Sequence, residues 1–147
     1  MLSITVATEA LLESVRALYR ECGYGGGVSE DDAALVAHVD GHLVAAVRVC
    51  SEHGVTVLRG MQVRPAYQRR GIGGKLLEAC LPLLNHNTSY CLPYMHLTSF
   101  CGVVGFVVAE QSKVPRFLAR RAAAYVESGR SVFVMQRAAP NRVAGGL

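Results

Sequence analysis

The sequence predicts a single α/β domain of the α+β kind, with a mostly antiparallel sheet flanked by helices. Apolar runs typical of strands alternate along the chain with apolar residues at helical spacing. The dipeptides Asp40-Gly41 and His53-Gly54, typical of tight hairpin turns, separate three of the strand-like runs. With 147 residues, 51% hydrophobic and 18% charged, the chain is long enough for one core and globular in composition.

The N-terminal part of the chain predicts a strand followed by an amphipathic helix. Residues 2–7 form an apolar run typical of a strand, and Thr8 can then cap a helix. The apolar residues of this helix share one face: Leu11, Leu12, Val15, Leu18, Tyr19 and Cys22. The glycine-rich residues 23–27 end the helix, and the loop continues into the acidic residues 29–32.

Three antiparallel strands are predicted next, joined by the two short turns. They cover residues 34–41, 42–54 and 55–63. A two-residue turn at His53-Gly54 makes Arg48 face Arg59 across the hairpin. Like charges opposed on a sheet are unfavourable unless something neutralises them. We therefore expect Arg48 and Arg59 to bind a substrate or organise its pocket, with a structural ion network or solvent exposure as the alternatives.

The second half of the chain predicts alternating helices and short strands. A helix should run from Ile72 to about Leu84, and Pro82 should kink or fray its last turn. A short helix is expected within residues 95–106, and another should begin at Pro115 and reach about Glu127. Short strands are expected at residues 89–94, 106–110 and 131–137.

Charge and cysteine content disfavour several classes of protein. The formal net charge of +4 is too small and too scattered to indicate a nucleic-acid partner. The five cysteines form no Cys-x-x-Cys pair, so neither a metal site nor a disulfide framework is predicted, and a reduced cytoplasm fits best. The N-terminus lacks the pattern of a signal peptide, and no apolar run approaches the ~20 residues of a membrane span.

Residues 68–77, QRRGIGGKLL, place glycines and basic residues at the start of a helix. A helix N-terminus offers free N–H groups and a partial positive charge, and glycine lets an anion approach the backbone. A P-loop does not fit because Leu76 follows Gly74-Lys75, where Ser or Thr is required. The dinucleotide fingerprint needs a small residue at Leu76 and a parallel context. The stretch therefore predicts an anion site, but neither a nucleoside triphosphatase nor a NAD site.

The segment VRPAYQRRGIGGKLL, residues 63–77, resembles the acyl-CoA-binding segment of the GNAT N-acetyltransferase superfamily. FCGVVGF, residues 100–106, resembles the later family segment F-Y-x-x-x-G-F, and residues 91–100 and 114–129 are similar to a subgroup of small bacterial members. The order of predicted elements matches that family over most of the chain. The resemblance implies a GNAT domain at residues 1–138, with a mixed, mostly antiparallel central sheet, and a flexible tail at residues 139–147.

The resemblance also implies a reaction: transfer of an acetyl group from acetyl-CoA to a primary amine by direct attack, without a metal. Its implied pantetheine and thioester contacts are backbone groups at Met61, Gln62 and Val63. The implied diphosphate contacts are the backbone amides of Gln68, Arg69, Arg70, Gly71, Ile72, Gly73 and Gly74. The acceptor is expected to be a small-molecule amine, with no membrane partner, and a homodimer is open because many relatives pair through late strands.

The sequence departs from the family at the general acid, because Cys101 stands where members commonly place Tyr. A thiol of pKa ~8.5 can return a proton to a thiolate of similar basicity, and an inert core cysteine is the alternative. Tyr94 and His96 are candidate substitutes. Glu30 is a candidate base, and Asp31 with Asp32 can attract a cationic amine from the segment that covers the acceptor side, unless these acids only form a helix N-terminal turn.

Two rival functions follow from the same residues. A GNAT-shaped protein that binds acyl-CoA or a small ligand with little or no turnover is the main alternative, because of Cys101. A nucleic-acid module using the late helix is the third, through Arg116, Arg120 and Arg121. Those arginines fit a solvated helix face better.

Overall fold

The structure is a computed structural model that describes residues 1–29, 31–94 and 98–140 of the chain. The described residues form one mixed sheet with the strand order β1-β2-β3-β4-β5-β7-β6. Its strands are β1 Leu2–Val6, β2 Ala33–Val39, β3 His42–Glu52, β4 Val55–Val63, β5 Ser89–Cys91, β6 Val107–Val108 and β7 Met135–Arg137. Neighbouring strands are antiparallel except β4 and β5, which are parallel. The predicted fold class, a mixed and mostly antiparallel sheet with helices, is confirmed.

The helices connect these strands in the predicted order. They are α1 Leu12–Glu21, α2 Ile72–Ala79, α3 Leu81–Leu84, α4 Thr98–Gly102 and α5 Arg116–Glu127. The predicted helix up to Leu84 is interrupted at Cys80, so that Pro82 lies in the first turn of α3, where a missing N–H costs no hydrogen bond. One local prediction is wrong: Thr8 makes no side-chain cap and instead precedes a short 3-10 turn, Glu9–Leu11.

Both hairpin turns adopt the geometry expected from their dipeptides. The φ angles are +49° and +83° at Asp40-Gly41, and +50° and +80° at His53-Gly54. Positive φ at both central residues matches the right-handed twist of the flanking strands. The second turn fixes the β3–β4 register, in which Arg48 pairs with Arg59 as predicted.

The sheet is covered on two faces by different helices. On one face α2 packs on β2 and β3 through a cluster that includes Leu76, Leu77, Leu35 and Val47. On the other face Val15, Leu18 and Tyr19 of α1 pack on Val36 and Ala46. Leu118 of α5 packs beside Val57 and Tyr90. Alternation along β3 and β4 places Arg48, Glu52, Val57 and Arg59 on the face that α1 and α5 cover.

Two departures from regular pairing occur in β4. It pairs with β5 only at Thr56–Ser89 and Val57–Tyr90, although it continues to Val63. Its register against β3 shifts where Ala46 and Arg48 pair with Gln62 and Arg59. The extra residue of this bulge lies at Gly60, whose φ of +68° is a left-handed conformation inside a strand. The sheet therefore opens between β4 and β5.

The predicted tail at residues 139–147 lies mostly outside the described residues, as do Glu30 and His96 among the predicted site residues. No helix in the described ranges is long and apolar enough to cross a membrane.

Candidate functional site

The opening between β4 and β5 leaves one edge of β4 without a strand partner among the described residues. On its other edge Gln62 and Val63 stay paired with β3. The backbone from Leu58 to Val63 is therefore held extended by β3 while its second edge faces the opening. Such an edge can accept an extended polar ligand by main-chain hydrogen bonds, as an added strand would. Met61, Gln62 and Val63, the predicted pantetheine contacts, lie along it.

The bulge at Gly60 is packed tightly against the α1 side of the sheet. A Cβ added to Gly60 would lie 2.5 Å from the Tyr19 hydroxyl oxygen and 3.2 Å from Arg48 Nε. Neither Tyr19 nor Arg48 has room to withdraw, because both are only 2% exposed. Burial raises the pKa of Tyr19 to about 12, against the opposing effect of the Arg48 guanidinium. The phenol is therefore neutral at physiological pH.

Replacing Gly60 with alanine is expected to lower the free energy of unfolding by about 2–4 kcal/mol, from overpacking and from a left-handed non-glycine residue. The matched control is Gly54→Ala, because Gly54 has a φ of +80° but open space around its Cβ position. The control should lose only the conformational part, about 1–2 kcal/mol. Denaturant unfolding of both variants measures the difference. Equal losses would contradict the close contact at Gly60.

The glycine-rich turn forms the second part of the opening. Arg69 and Gly71 have φ angles of +64° and +76°, so the chain reverses direction before α2 begins at Ile72. Among the described residues, the backbone amides of residues 69–74 donate no hydrogen bond to any acceptor. Gln68, Arg69, Arg70 and Gly71 are exposed. An anion can therefore reach a row of free amides at the N-terminus of α2.

Side chains around this turn fix its shape. The Gln68 side-chain amide donates to the Val63 carbonyl at 3.0 Å, which ties the turn to the end of β4. The Gln68 backbone amide donates to the Pro65 carbonyl at 3.3 Å, so the free amides begin at Arg69. The Ile72 side chain is 4% exposed and anchors α2 in the core. The Arg70 guanidinium lies over the Tyr67 ring, 5.1 Å from its centroid.

The cysteine of the FCGVVGF segment lies in the same core cluster as this turn. Cys101 is buried in α4 and shares that cluster with Ile72 and Cys91, and a Cβ at Gly73 would touch the Phe100 ring at 3.4 Å. A hydrogen bond with the Cys91 thiol lowers the pKa of Cys101, although burial opposes this. The same hydrogen bond, together with burial, raises the pKa of Cys91.

Tyr94, the other described candidate for the acid, follows the end of β5. It forms an isolated bridge with Val132, and it is 44% exposed. By comparison, Cys101 is 7% exposed.

A buried ion pair lies on the α1 side of β3. Arg48 Nη1 donates to Asp32 Oδ2 at 3.0 Å, and Arg48 Nη2 donates to the Tyr24 hydroxyl at 3.1 Å. The Arg48 side chain is 2% exposed and that of Asp32 is 12% exposed. Burial tends to raise the pKa of Asp32, but the Ser29 amide and the Arg48 guanidinium outweigh it and hold the pKa below its ordinary value. Asp32 is therefore paired with Arg48, whereas the neighbouring residue Asp31 is exposed.

A second ion cluster joins the β3–β4 hairpin to α5. Arg121 donates to both carboxylate oxygens of Glu52, at 3.0 and 2.9 Å. Arg59 Nη1 donates to Glu52 Oε1 at 3.3 Å. The bond from Arg121 is the main reason that the pKa of Glu52 is lowered, with burial opposing it. Sequence reasoning missed Glu52, Tyr24 and the role of Arg121. Only Glu52 carried a signal, since it precedes the hairpin turn on the face of Arg48.

Comparison with known proteins follows from this geometry. A family model described as the acetyltransferase (GNAT) domain matches residues 30–108, more than half of the chain. The fold and the open sheet edge define an acyl-CoA N-acyltransferase fold, and the chain belongs to the GNAT acetyltransferase family. The recognition made from the sequence is confirmed. A search of curated proteins finds no match.

The chain shares its fold with solved structures that are distant from it in sequence, among them the following. The ribosomal-protein-S18-alanine N-acetyltransferase of Escherichia coli has a TM-score of 0.72 at 16% identity, covering 96% of each chain. An acyl-CoA N-acyltransferase from Pseudomonas aeruginosa has a TM-score of 0.69 at 21% identity, covering 94% of this chain and all of that one.

A third neighbour is a much longer protein. The N-acetylglutamate synthase of Neisseria gonorrhoeae, complexed with coenzyme A and N-acetyl-glutamate, has a TM-score of 0.69 at 18% identity. The match covers 96% of this chain but 36% of that one. Family and fold together support an acyltransferase that uses an acyl-CoA donor. Within the described residues, no group of three or more His, Cys, Asp or Glu could hold a metal ion.

Proposed function

We propose that this protein transfers an acetyl group from acetyl-CoA to the primary amine of a small molecule by direct attack, without a covalent enzyme intermediate. The observation that carries the proposal is the divergence of β4 from β5 beside the free amides of residues 69–74. An extended edge and an anion site are then joined through the bond from Gln68 to Val63, and they suit the pantetheine arm and the diphosphate of coenzyme A. The GNAT family match supports the same donor.

The residues have separate roles in this proposal. Backbone groups at Met61, Gln62 and Val63 bind the pantetheine arm, and a β4 amide near Val63 polarises the thioester carbonyl. The amides of Arg69, Arg70, Gly71, Ile72, Gly73 and Gly74 bind the diphosphate, and the side chain of Gln68 holds the turn. Each hydrogen bond to a charged oxygen contributes about 1.5–3 kcal/mol.

The reaction needs a neutral amine and a protonated leaving group. An alkylamine with a pKa near 10.4 costs about 4.6 kcal/mol to deprotonate at pH 7, which is the task of a base at the acceptor side. Glu30 and Asp31 are the proposed groups there. After the tetrahedral intermediate collapses, the departing thiolate takes a proton, and Cys101 is the proposed donor because the hydrogen bond with Cys91 lowers its pKa below the ordinary thiol value, which makes Cys101 the stronger acid of the two thiols.

The direct test is release of free thiol from acetyl-CoA in the presence of a panel of primary amines. Release above the rate without amine, together with the mass of an N-acetylated product, is the expected result. The rival function is acyl-CoA binding without turnover, favoured by the burial of Cys101 at the position usual for Tyr. Tight binding of coenzyme A with no product from any amine would establish that rival. A cytoplasmic location and a homodimer stay predictions from the sequence.

Replacing Cys101 with alanine is expected to lower kcat about 100-fold while leaving the Kd for acetyl-CoA within about twofold, because only proton transfer is removed. Cys80→Ala is the control, since Cys80 is also buried in the same core cluster but lies at the C-terminal end of α2, away from the turn. Steady-state kinetics and calorimetry separate the two effects. Unchanged kcat in the Cys101 variant would make that cysteine a core residue only.

A further inference from the structure

The face of the sheet between α1 and α5 carries one arginine more than its acids neutralise. Arg48 forms an ion pair with Asp32, and Arg121 forms a bidentate ion pair with Glu52. Arg59 shares only one oxygen of Glu52, through Nη1 at 3.3 Å. Among the described residues its Nε and Nη2 groups make no hydrogen bond. Donors of a guanidinium that are left over in this way can receive a second anion.

Arg59 lies in β4 beyond the last pair with β5, Val57–Tyr90, and so beside the opening in which the proposed reaction takes place. It directly precedes Gly60, the site of the bulge in β4, and it faces Arg48 across the hairpin. Its side chain is 26% exposed, whereas that of Arg48 is 2% exposed. Arg59 is thus the arginine of this pair that a ligand can reach.

The acids on this face are not available to attract a cation. Asp32 accepts from Arg48 and Glu52 accepts from two guanidiniums, and both have a lowered pKa and stay charged at neutral pH. Their charges are compensated within the protein by Arg48 and Arg121. Within the described ion cluster of Asp32, Arg48, Glu52, Arg59 and Arg121, the remaining charge is positive and belongs to Arg59. The ion arrangement therefore opposes a polyamine in this position and favours an amine that carries its own anion.

We propose that Arg59 is a specificity-determining residue that binds the carboxylate of the acceptor, so that the substrate class is amines bearing a carboxylate. This inference rests on the proposed function and narrows it. A planar guanidinium with two adjacent free donors matches a carboxylate in a forked contact, which a lysine cannot reproduce. Arg121 and Glu52 act as positioning residues, because they hold Arg59 from its Nη1 side.

The experiment compares pairs of acceptors that differ only at the carboxylate. Glycine, β-alanine and γ-aminobutyrate are each assayed against their carboxamides by thiol release from acetyl-CoA. The carboxamides have the less basic amines, so preference for the acids cannot come from easier deprotonation. For at least one pair the acid is expected to exceed the amide in kcat/KM at least about tenfold. Arg59→Gln should bring that ratio to about one, and Arg59→Lys should restore it in part.

Arg130→Gln is the matched control, because Arg130 is an exposed arginine stacked on Tyr125 at the end of α5. It should keep the wild-type ratio. A second readout is binding alone: calorimetry of each acid and amide into the protein saturated with coenzyme A, which cannot react. The acids should bind at least about tenfold more tightly than their amides in the unsubstituted protein and in Arg130→Gln. This difference should be absent in Arg59→Gln.

The outcomes distinguish this inference from the function on which it rests. Amides that react and bind as well as the acids would overturn the role of Arg59 while leaving acetyl transfer intact. If the Arg59→Gln variant still preferred the acids, the carboxylate would have to bind elsewhere, and the proposed role of Arg59 would be overturned in this case also. If no amine reacts, the role of Arg59 is decided by calorimetry. Equal binding of acids and amides to the protein saturated with coenzyme A would overturn it. Absence of coenzyme A binding would instead reject the proposed function.

Discussion

Asp32→Ala is expected to lower the free energy of unfolding by about 3–5 kcal/mol, because it leaves the Arg48 guanidinium buried without its counter-ion. Arg48 is 2% exposed and cannot move to water, and the Tyr24 hydroxyl alone does not neutralise it. Glu110→Ala is the control, since the Glu110–Lys113 pair at 3.4 Å is about 70% exposed on both sides. That control should change stability by less than about 1 kcal/mol.

The reciprocal variant makes this prediction sharper. Arg48→Met should destabilise the protein less than Asp32→Ala, because Asp32 lies nearer the surface and can be hydrated, while Met fills the space that Arg48 leaves. Urea denaturation of the three variants measures the order. If Asp32→Ala proved no worse than Glu110→Ala, the buried pair would be unimportant to the fold.

The ion pairs of Asp32 and Glu52 make the stability of the protein depend on pH. The pKa of Asp32 and that of Glu52 are both lowered in the folded protein from ordinary values of 3.8 and 4.5. Their contribution to stability is therefore fully present above those values and is lost as the pH falls through the lower folded-state values. Below about pH 4 the free energy of unfolding, measured by urea denaturation at a series of pH values, should therefore fall less steeply with decreasing pH in Asp32→Ala than in the unsubstituted protein.

Gly71→Asp is expected to weaken acetyl-CoA binding at least about 100-fold. A carboxylate at this position would accept hydrogen bonds from the free amides and would repel the diphosphate. Gly71→Asn is the matched control of equal size without the charge. Both side chains tolerate the φ of +76°, and a Cβ at this position meets nothing within 4 Å. The two variants should therefore be equally stable.

Calorimetry at low and high salt tests this prediction. The difference in acetyl-CoA affinity between the Asp and Asn variants should become smaller at high salt, because salt screens the repulsion. The Asn variant should lose no more than about tenfold in affinity. Two variants that bind acetyl-CoA as the unsubstituted protein does would show that the diphosphate does not contact this turn.

Local signals in the sequence were sufficient for much of the fold. The dipeptides Asp40-Gly41 and His53-Gly54 fixed two turns, and through the second the register of Arg48 against Arg59. Pro82 indicated a kinked or frayed last turn in the helix begun at Ile72, and the structure divides that helix at Cys80, two residues earlier. These features depend on neighbours in the chain, where residue type and backbone conformation are directly linked.

The candidate site was less accessible because its chemistry depends on distant residues. Glu52 and Arg121 are 69 positions apart, and nothing in either neighbourhood indicates the other. Tyr24 lies in a glycine-rich loop whose conformation local propensity does not determine, yet it contacts Arg48. Gly60 did carry a signal, since an isolated glycine inside a strand-like run is typical of a bulge. Its contact with Tyr19 required the packing of α1.

The measurement that tests the central claim most directly is a calorimetric comparison of acetyl-CoA, acetyl-phosphopantetheine and acetyl-pantetheine. All three carry the thioester arm that the open edge of β4 would bind. Acetyl-CoA carries the diphosphate that residues 69–74 would bind, together with adenosine 3′-phosphate, whereas acetyl-phosphopantetheine carries one phosphate and acetyl-pantetheine none. We expect acetyl-CoA to bind at least about 100-fold more tightly than acetyl-pantetheine, with a loss at high salt. Equal affinity for the three compounds, or no heat with acetyl-CoA, would contradict the account.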